Sequence, residues 1–144
     1  MSNIRLLTFG TPDYDASLAL RFEVLRKPLG LNFTPEQLSE EWSDLHLAIF
    51  DASQNIIGIL LLTILNEQEV KMRQVAIAPD QQGRGLGGKL VEASEELAKS
   101  LEFKKITLHA RETAVPFYLC LGYRIVGNQF EEVGIPHFKM EKDL

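Results

Sequence analysis

The sequence predicts an α/β fold of the α+β type: one mixed sheet with helices packed on it. Three observations carry this. Elements read in the order strand, helix, three strands, helix, strand, helix, two strands, which suits a single layered sheet better than a bundle or a sandwich. Two long stretches place apolar residues at helical spacing, whereas the segments between them are short apolar or alternating runs. The 144 residues, 45% hydrophobic and 24% charged, suffice for one sizeable core, so residues 1–144 are read as one domain.

Residues 3–9 read as an opening strand. Residues 13–27 follow as a helix, with Leu18, Phe22, Leu25 and Arg26 at helical spacing, Asp13 or Asp15 as its cap, and Pro28 with Gly30 as its stop. The polar stretch 31–44 contains a short helix opened by Pro35 and carries the only tryptophan, Trp42, as a core or pocket-wall residue. Leu45 to Phe50 and Ile56 to Leu65 form a hairpin of buried strands across the turn at 51–55, and Glu69 to Ala78 is a third strand closed by Pro79. A glycine cluster then opens a helix carrying Leu86, Leu90, Val91, Ser94, Leu97, Ala98 and Leu101. In the strand 104–111, Ile106, Leu108 and Ala110 share one face and Thr107, His109 and Arg111 the other. Thr113 caps a short helix over 114–121 that Gly122 ends, with Pro116 tolerated in its first turn and Cys120 in the core. Strands 123–133 and 137–141, joined by the turn Gly134-Ile135-Pro136, close the chain.

Composition narrows the function. A net charge of −5 argues against non-specific binding to nucleic acid and against docking on anionic lipid. One cysteine excludes an intramolecular disulfide and a Cys-paired zinc site, and no metal site is expected. The first ten residues lack a signal-peptide apolar core, and the longest apolar run, 56–65, is too short to span a bilayer. A cytoplasmic location is therefore expected.

Four of the ten glycines fall within residues 83–88, between a strand and a long helix. Such glycines let the backbone turn tightly and aim several N–H groups at one point, and the helix start adds its unpaired N–H groups and partial positive charge. The result is an anion site suited to a phosphate or pyrophosphate. Gly83, Gly85 and Gly88 satisfy the dinucleotide pattern GxGxxG, but a hairpin precedes them and no second nucleotide-binding half follows. Gly83 to Lys89 match GxxxxGK, yet Leu90 stands where a P-loop needs a hydroxyl for Mg²⁺.

A third pattern, Gln/Arg-x-x-Gly-x-Gly/Ala, is met by Gln82, Gly85 and Gly87 within VAIAPDQQGRGLGGKLVEASEELA. Downstream, Ala114 to Tyr123 read AVPFYLCLGY, of the form A-x-x-F-Y-x-x-x-G-F/Y. Together, in this order, the two segments resemble the GNAT superfamily of acetyl-coenzyme-A-dependent N-acetyltransferases. The resemblance covers residues 72–140, and the first 65 residues fit by element order alone. It implies a mostly antiparallel central sheet splayed at a bulge, with helices on both faces. It further implies acetyl transfer from acetyl-CoA to a primary amine by direct attack in a ternary complex.

Carried over residue by residue, the resemblance puts the cofactor's pyrophosphate on the segment Gln82, Gly83, Arg84, Gly85, Leu86, Gly87, Gly88 and Lys89. The pantetheine arm falls beside the strand backbone of Val75, Ala76 and Ile77, where an N–H would also polarise the thioester carbonyl. Tyr118 matches the general acid that protonates the departing thiolate, and Phe117 beside it is placed with the core and the cofactor. Seven residues before Tyr118 the family often has an amide; Arg111 stands here, facing either the cofactor or an acidic group on the acceptor. If Tyr118 is only structural, the alternative is a non-catalytic module that binds or senses acyl-CoA.

An amine of pKa near 10.4 costs roughly 4–5 kcal/mol to deprotonate at pH 7, so a base is required. His137 and Glu132 are the leading candidates, with Glu131, His109 and Glu112 near them. The acceptor is a small-molecule amine or a peptide or protein amine. Glu36, Glu40, Glu41 and Asp44 form an acidic rim suited to a cationic amine, whereas Arg21, Arg26 and Lys27 suit a carboxylated one. A homodimer is compatible with this reading.

Overall fold

Local chemistry sets the first elements. The computed structural model describes residues 3–144. Strand β1 (Asn3–Leu7) leads to helix α1 (Pro12–Arg21), whose cap is Thr11 rather than Asp13 or Asp15. The Thr11 hydroxyl accepts from the Tyr14 amide at 3.3 Å, and Pro12 occupies the first turn, where its missing N–H costs nothing. The helix does not run on to Lys27 as one cylinder. It widens into a π turn over Phe22–Arg26, tightens into a 3₁₀ turn over Lys27–Leu29, and stops at Gly30 with φ +69°. A capping box between Thr34 and Gln37 starts α2 (Pro35–Ser39), and a 3₁₀ turn over Glu40–Ser43 follows.

The remaining strands are β2 (Leu45–Phe50), β3 (Ile56–Ile64), β4 (Glu69–Ile77), β5 (Lys105–Arg111), β6 (Arg124–Glu132) and β7 (Ile135–Asp143). Two more helices are α3 (Leu86–Ser100) and α4 (Val115–Cys120). One sheet runs β1-β2-β3-β4-β5-β7-β6, and every neighbouring pair is antiparallel except β4 and β5. The closing turn is Val133-Gly134, both at positive φ, so β7 begins at Ile135 and takes in Pro136. Thr113 caps nothing: it lies in a 3₁₀ turn, and α4 starts from Ala114 without a side-chain cap.

Helices cover both faces. On one, Leu86, Leu90 and Val91 of α3 and Val115 and Tyr118 of α4 pack on Leu60, Leu62, Met72, Ile106, Leu108 and Ala110. On the other, Leu20, Val24 and Leu25 pack on Ala48, Phe50, Ile59, Leu61 and Ala76. Burying an aliphatic side chain is worth about 1.5–3 kcal/mol, so these two layers supply the main driving force. What fixes α1 on its face is polar. Arg21 and Glu41, 0% and 3% exposed, meet in a bidentate pair at 2.8 and 2.6 Å, and the Tyr14 hydroxyl donates to the same carboxylate at 2.8 Å.

Two features open the sheet. Between β3 and β4 the register slips, and Gln74 sits in the bulge at φ +57°. Pairing of β4 with β5 runs only from Glu69–Lys105 to Met72–Leu108. Beyond that point the strands fork, leaving the β5-facing edge of residues 73–77 unpaired.

Candidate active site

On the α3 side of the fork lies the glycine loop. Gly83 and Gly85 take φ +80° and +76°, which a side chain rarely adopts, and a Cβ on either would meet nothing within 4 Å. The glycines are there for the backbone, and the space above them is open. Gln82 ties the loop to the end of β4, its amide Nε2 donating to the Ile77 carbonyl at 3.0 Å. Arg84 is exposed and reaches Gln81 at 3.3 Å. The first intrahelical bond of α3 runs from the Lys89 amide to the Gly85 carbonyl at 3.2 Å. Among the described residues the amides of 83–88 donate to no acceptor, and α3 has no side-chain cap. A cradle of free N–H groups at a helix start fits a pyrophosphate.

Gly87 has a second reason to be glycine. A Cβ there would lie 3.3 Å from Cζ of Phe117, so α4 rests directly on the first turn of α3. Phe117 is 40% exposed and not a core residue. Its ring meets Tyr118 at 5.0 Å, and Tyr118 meets Tyr123 at 5.7 Å, both edge-on. The Tyr118 hydroxyl has no hydrogen-bond partner among the described residues, and burial pushes its pKa up to about 12. It therefore stays protonated across the working range. Tyr123 differs: its hydroxyl donates to Glu95 at 2.9 Å, and burial with that carboxylate beside it raises its pKa further.

Cys120 is exposed in the wall of an open surface cleft with Lys89 and Leu121, and Trp42 is 70% exposed; neither is in the core. α4 is only six residues long and buries just Val115 and Tyr118, so its other apolar residues stay outside.

On the opposite face, side chains from β5, β6 and β7 converge beside the fork. Strand register places Arg111 opposite His137 and His109 opposite Lys139, and Phe130 of β6 opposite His137. Glu132 sits two residues beyond Phe130 and so shares that face. One oxygen of Glu132 is 3.1 Å from His109 Nδ1, and the other is 3.6 Å from His137 Nε2. His137 Nδ1 donates to the Ile135 carbonyl at 2.8 Å, and the ring is 4% exposed. With Nδ1–H of His109 directed at Glu132, its Nε2 is left as the basic nitrogen. Burial pushes the Glu132 pKa up, but hydrogen bonding and charge from His109, with His137 and Lys71, outweigh it and hold the carboxylate below its ordinary range.

Thus His137 and Glu132 come together, and His109 joins them. Glu131 points to the other face of β6, and Glu112 lies exposed in the turn after β5. Lys71 approaches His109 at 3.4 Å, and the Gln74 bulge holds Arg21 at 3.4 Å. Neither has a signature in sequence: a non-glycine residue at positive φ looks like any other strand residue. Arg111 stands on the His109 face, away from α3. The acidic rim is half spent, because Glu41 is buried on Arg21 and Asp44 lies 3.8 Å from Arg73 with its side chain 4% exposed.

Known proteins share this fold. The model of the acetyltransferase (GNAT) domain matches residues 24–144. A UPF0039 protein of Schizosaccharomyces pombe is 30% identical over 102 residues, covering 69% of this chain and 67% of that protein. The match spans about half the length of three further curated relatives from Bacillus subtilis. Among solved structures, an N-acetyltransferase candidate from Lactobacillus plantarum superposes with TM-score 0.89 at 25% identity, over 99% of this chain and 98% of that one. A GNAT family acetyltransferase from Elizabethkingia anophelis, solved with acetyl-CoA bound, shares the fold at TM-score 0.76 and 21% identity, covering 99% and 98%. With that family model over most of its length, the chain belongs to the GNAT acetyltransferase superfamily.

Proposed function

We propose that this chain moves an acetyl group from acetyl-CoA to a primary amine by direct attack in a ternary complex. The observation that carries the reading is the fork between β4 and β5. It has the free amides of 83–88 and the Tyr118 hydroxyl on one side, and the His109–Glu132–His137 cluster on the other. The loop amides hold the pyrophosphate, with Lys89 at the helix entrance adding positive charge. The unpaired edge of residues 73–77 pairs with the pantetheine arm and directs an N–H at the thioester oxygen, where charge develops. Phe117 and Gly87 shape the wall between them.

The acceptor's ammonium gives its proton to His109 Nε2, oriented by Glu132, while the His137 ring packs beside the carboxylate. The freed nitrogen attacks the carbonyl carbon, the C–S bond breaks as Tyr118 donates its proton to sulfur, and the second proton leaving the nitrogen passes through solvent to the Tyr118 phenolate. His109 then releases the first proton to solvent. The high pKa of Tyr118 does not bar this step, because the desolvation that raises it also destabilises a thiolate in the same place. Oriented base and acid each contribute about 10²–10⁴-fold.

The test is thiol release from acetyl-CoA with a panel of amines, with acetylated product identified by mass. Turnover that falls at least tenfold in Glu132→Gln with acetyl-CoA affinity intact supports the reading. Tight acetyl-CoA binding without transfer to any amine would reject it in favour of a sensing module.

A further inference from the structure

Charge on the acceptor side of the fork does not balance. Arg21, Arg26, Lys71, Arg73 and Arg111 project there against Glu41, Asp44 and Glu132. Glu41 is taken by Arg21 and Asp44 by Arg73, while Glu132 accepts a hydrogen bond from His109. Arg26 is left over. It comes from the π turn, and its guanidinium lies 5.0 Å above the ring of Phe33, which also carries Arg21 at 4.8 Å. Its Nε is buried and has no hydrogen-bond partner among the described residues. The nearest acid along its own helix, Glu23, faces Lys27 at 3.6 Å instead.

The charges that bear on Arg26 are Arg21, Arg73 and Arg111, all repelling, and Glu132, attracting. A half-buried guanidinium among like charges, with an unmet donor, is costly as it stands. The two Nη groups of Arg26 also bond to no described residue and are not sealed in, so a carboxylate can meet their planar fork, while Nε stays enclosed. Arg21, on the same Phe33 ring as Arg26, reaches Gln74 in the bulge at 3.4 Å. An anion held on Arg26 therefore lies on the bulge side of the fork, the side that also carries His109.

We propose that Arg26, with Arg111, binds a carboxylate on the acceptor, so that the acceptor is a small amino acid or another amine bearing a carboxylate. This rests on the acetyl-transfer reading and deepens it. Of the acidic rim, only Glu36 and Glu40 remain at the surface, so a cationic acceptor lacks the counter-charge it would need.

The experiment is calorimetric titration of the protein saturated with CoA, which permits no turnover, using amino acids and their matched carboxamides across several side-chain types. At least one carboxylate should bind roughly 10- to 100-fold more tightly than its amide. That preference should vanish in Arg26→Gln and in Arg111→Gln, and return in part in Arg26→Lys, while affinity for CoA itself stays within about twofold. If Arg26→Gln fails to fold, the wild-type preference and Arg111→Gln still decide. Equal binding of every pair, or a preference that survives both glutamine variants, would overturn the proposal. So would an amine bearing a phosphate, such as phosphoethanolamine, binding more tightly than every carboxylate. A carboxylate preference without acetyl transfer in the thiol-release assay would reject the transfer reading alone and leave this site standing.

Discussion

Two neighbouring tyrosines separate catalysis from stability. Tyr118→Phe removes a hydroxyl that bonds to no described residue, while the ring keeps its packing at 5.0 Å from Phe117 and 5.7 Å from Tyr123. Unfolding free energy should change by less than about 0.5 kcal/mol. If the hydroxyl protonates the departing sulfur, the barrier rises by about 3–5 kcal/mol, a loss of about 10²–10⁴-fold in kcat. Because the proton moves only in the transition state, kcat and kcat/KM should fall together. Tyr123→Phe is the reverse case. It strips the 2.9 Å hydrogen bond from Glu95, which is 7% exposed and keeps only Lys142 at 3.0 Å. A lost bond to a buried carboxylate costs about 1.5–3 kcal/mol, with kcat little changed. Urea unfolding and steady-state kinetics on both variants decide. Full kcat in Tyr118→Phe, or a stability loss there as large as in Tyr123→Phe, would refute the assignment.

Further expectations follow from the same geometry. Arg21→Met leaves Glu41 buried beside Tyr14 alone and should cost about 3–5 kcal/mol in denaturant unfolding; adding Glu41→Leu should restore at least half. For Glu41, burial raises the pKa, but the Arg21 guanidinium outweighs it and holds the carboxyl below the ordinary 4.5. A depressed native value stabilises the fold above pH 4.5, and this contribution is lost as pH falls through the lowered value; acid unfolding of Glu41→Gln, followed by circular dichroism, should show a shallower dependence below pH 4.5. Gly85→Ala forces a side chain to φ +76° and should cost about 1–2 kcal/mol in urea unfolding along with acetyl-CoA affinity. Gly88→Ala, whose Cβ would meet Leu121 at an ordinary 4.0 Å, should gain about 0.5–1 kcal/mol in the same assay.

Where one element's own residues settle the outcome, the sequence was a good guide. Period-2 alternation puts Ile106, Leu108 and Ala110 on one face, which packs against α3, and the apolar run Leu45–Phe50 is a strand at those bounds. The glycine loop was legible because its function rests on backbone conformation, which glycine itself signals. Partners distant in sequence were not. On α1 the buried positions are Tyr14, Ser17 and Arg21, a polar stripe indistinguishable from a solvated face until Glu41 packs on it. Asp13 and Asp15 are capping residue types, yet Thr11 is the cap because Pro12 takes the first turn of α1. Phe117, Cys120 and Trp42 were assigned inward by residue type, and their short elements lack the second layer that would cover them. The histidine cluster needed strand register: His109, Glu132 and His137 meet only because β7 inserts between β5 and β6.

The central claim is that the amides of residues 83–88 hold the pyrophosphate of acetyl-CoA beside the fork. Calorimetric titration with acetyl-CoA, S-acetylpantetheine and NADH tests it directly. The account predicts that acetyl-CoA binds at least about 100-fold more tightly than S-acetylpantetheine, which lacks the pyrophosphate, and that NADH binds far more weakly. Equal affinity for acetyl-CoA and S-acetylpantetheine, or a preference for NADH, would contradict it.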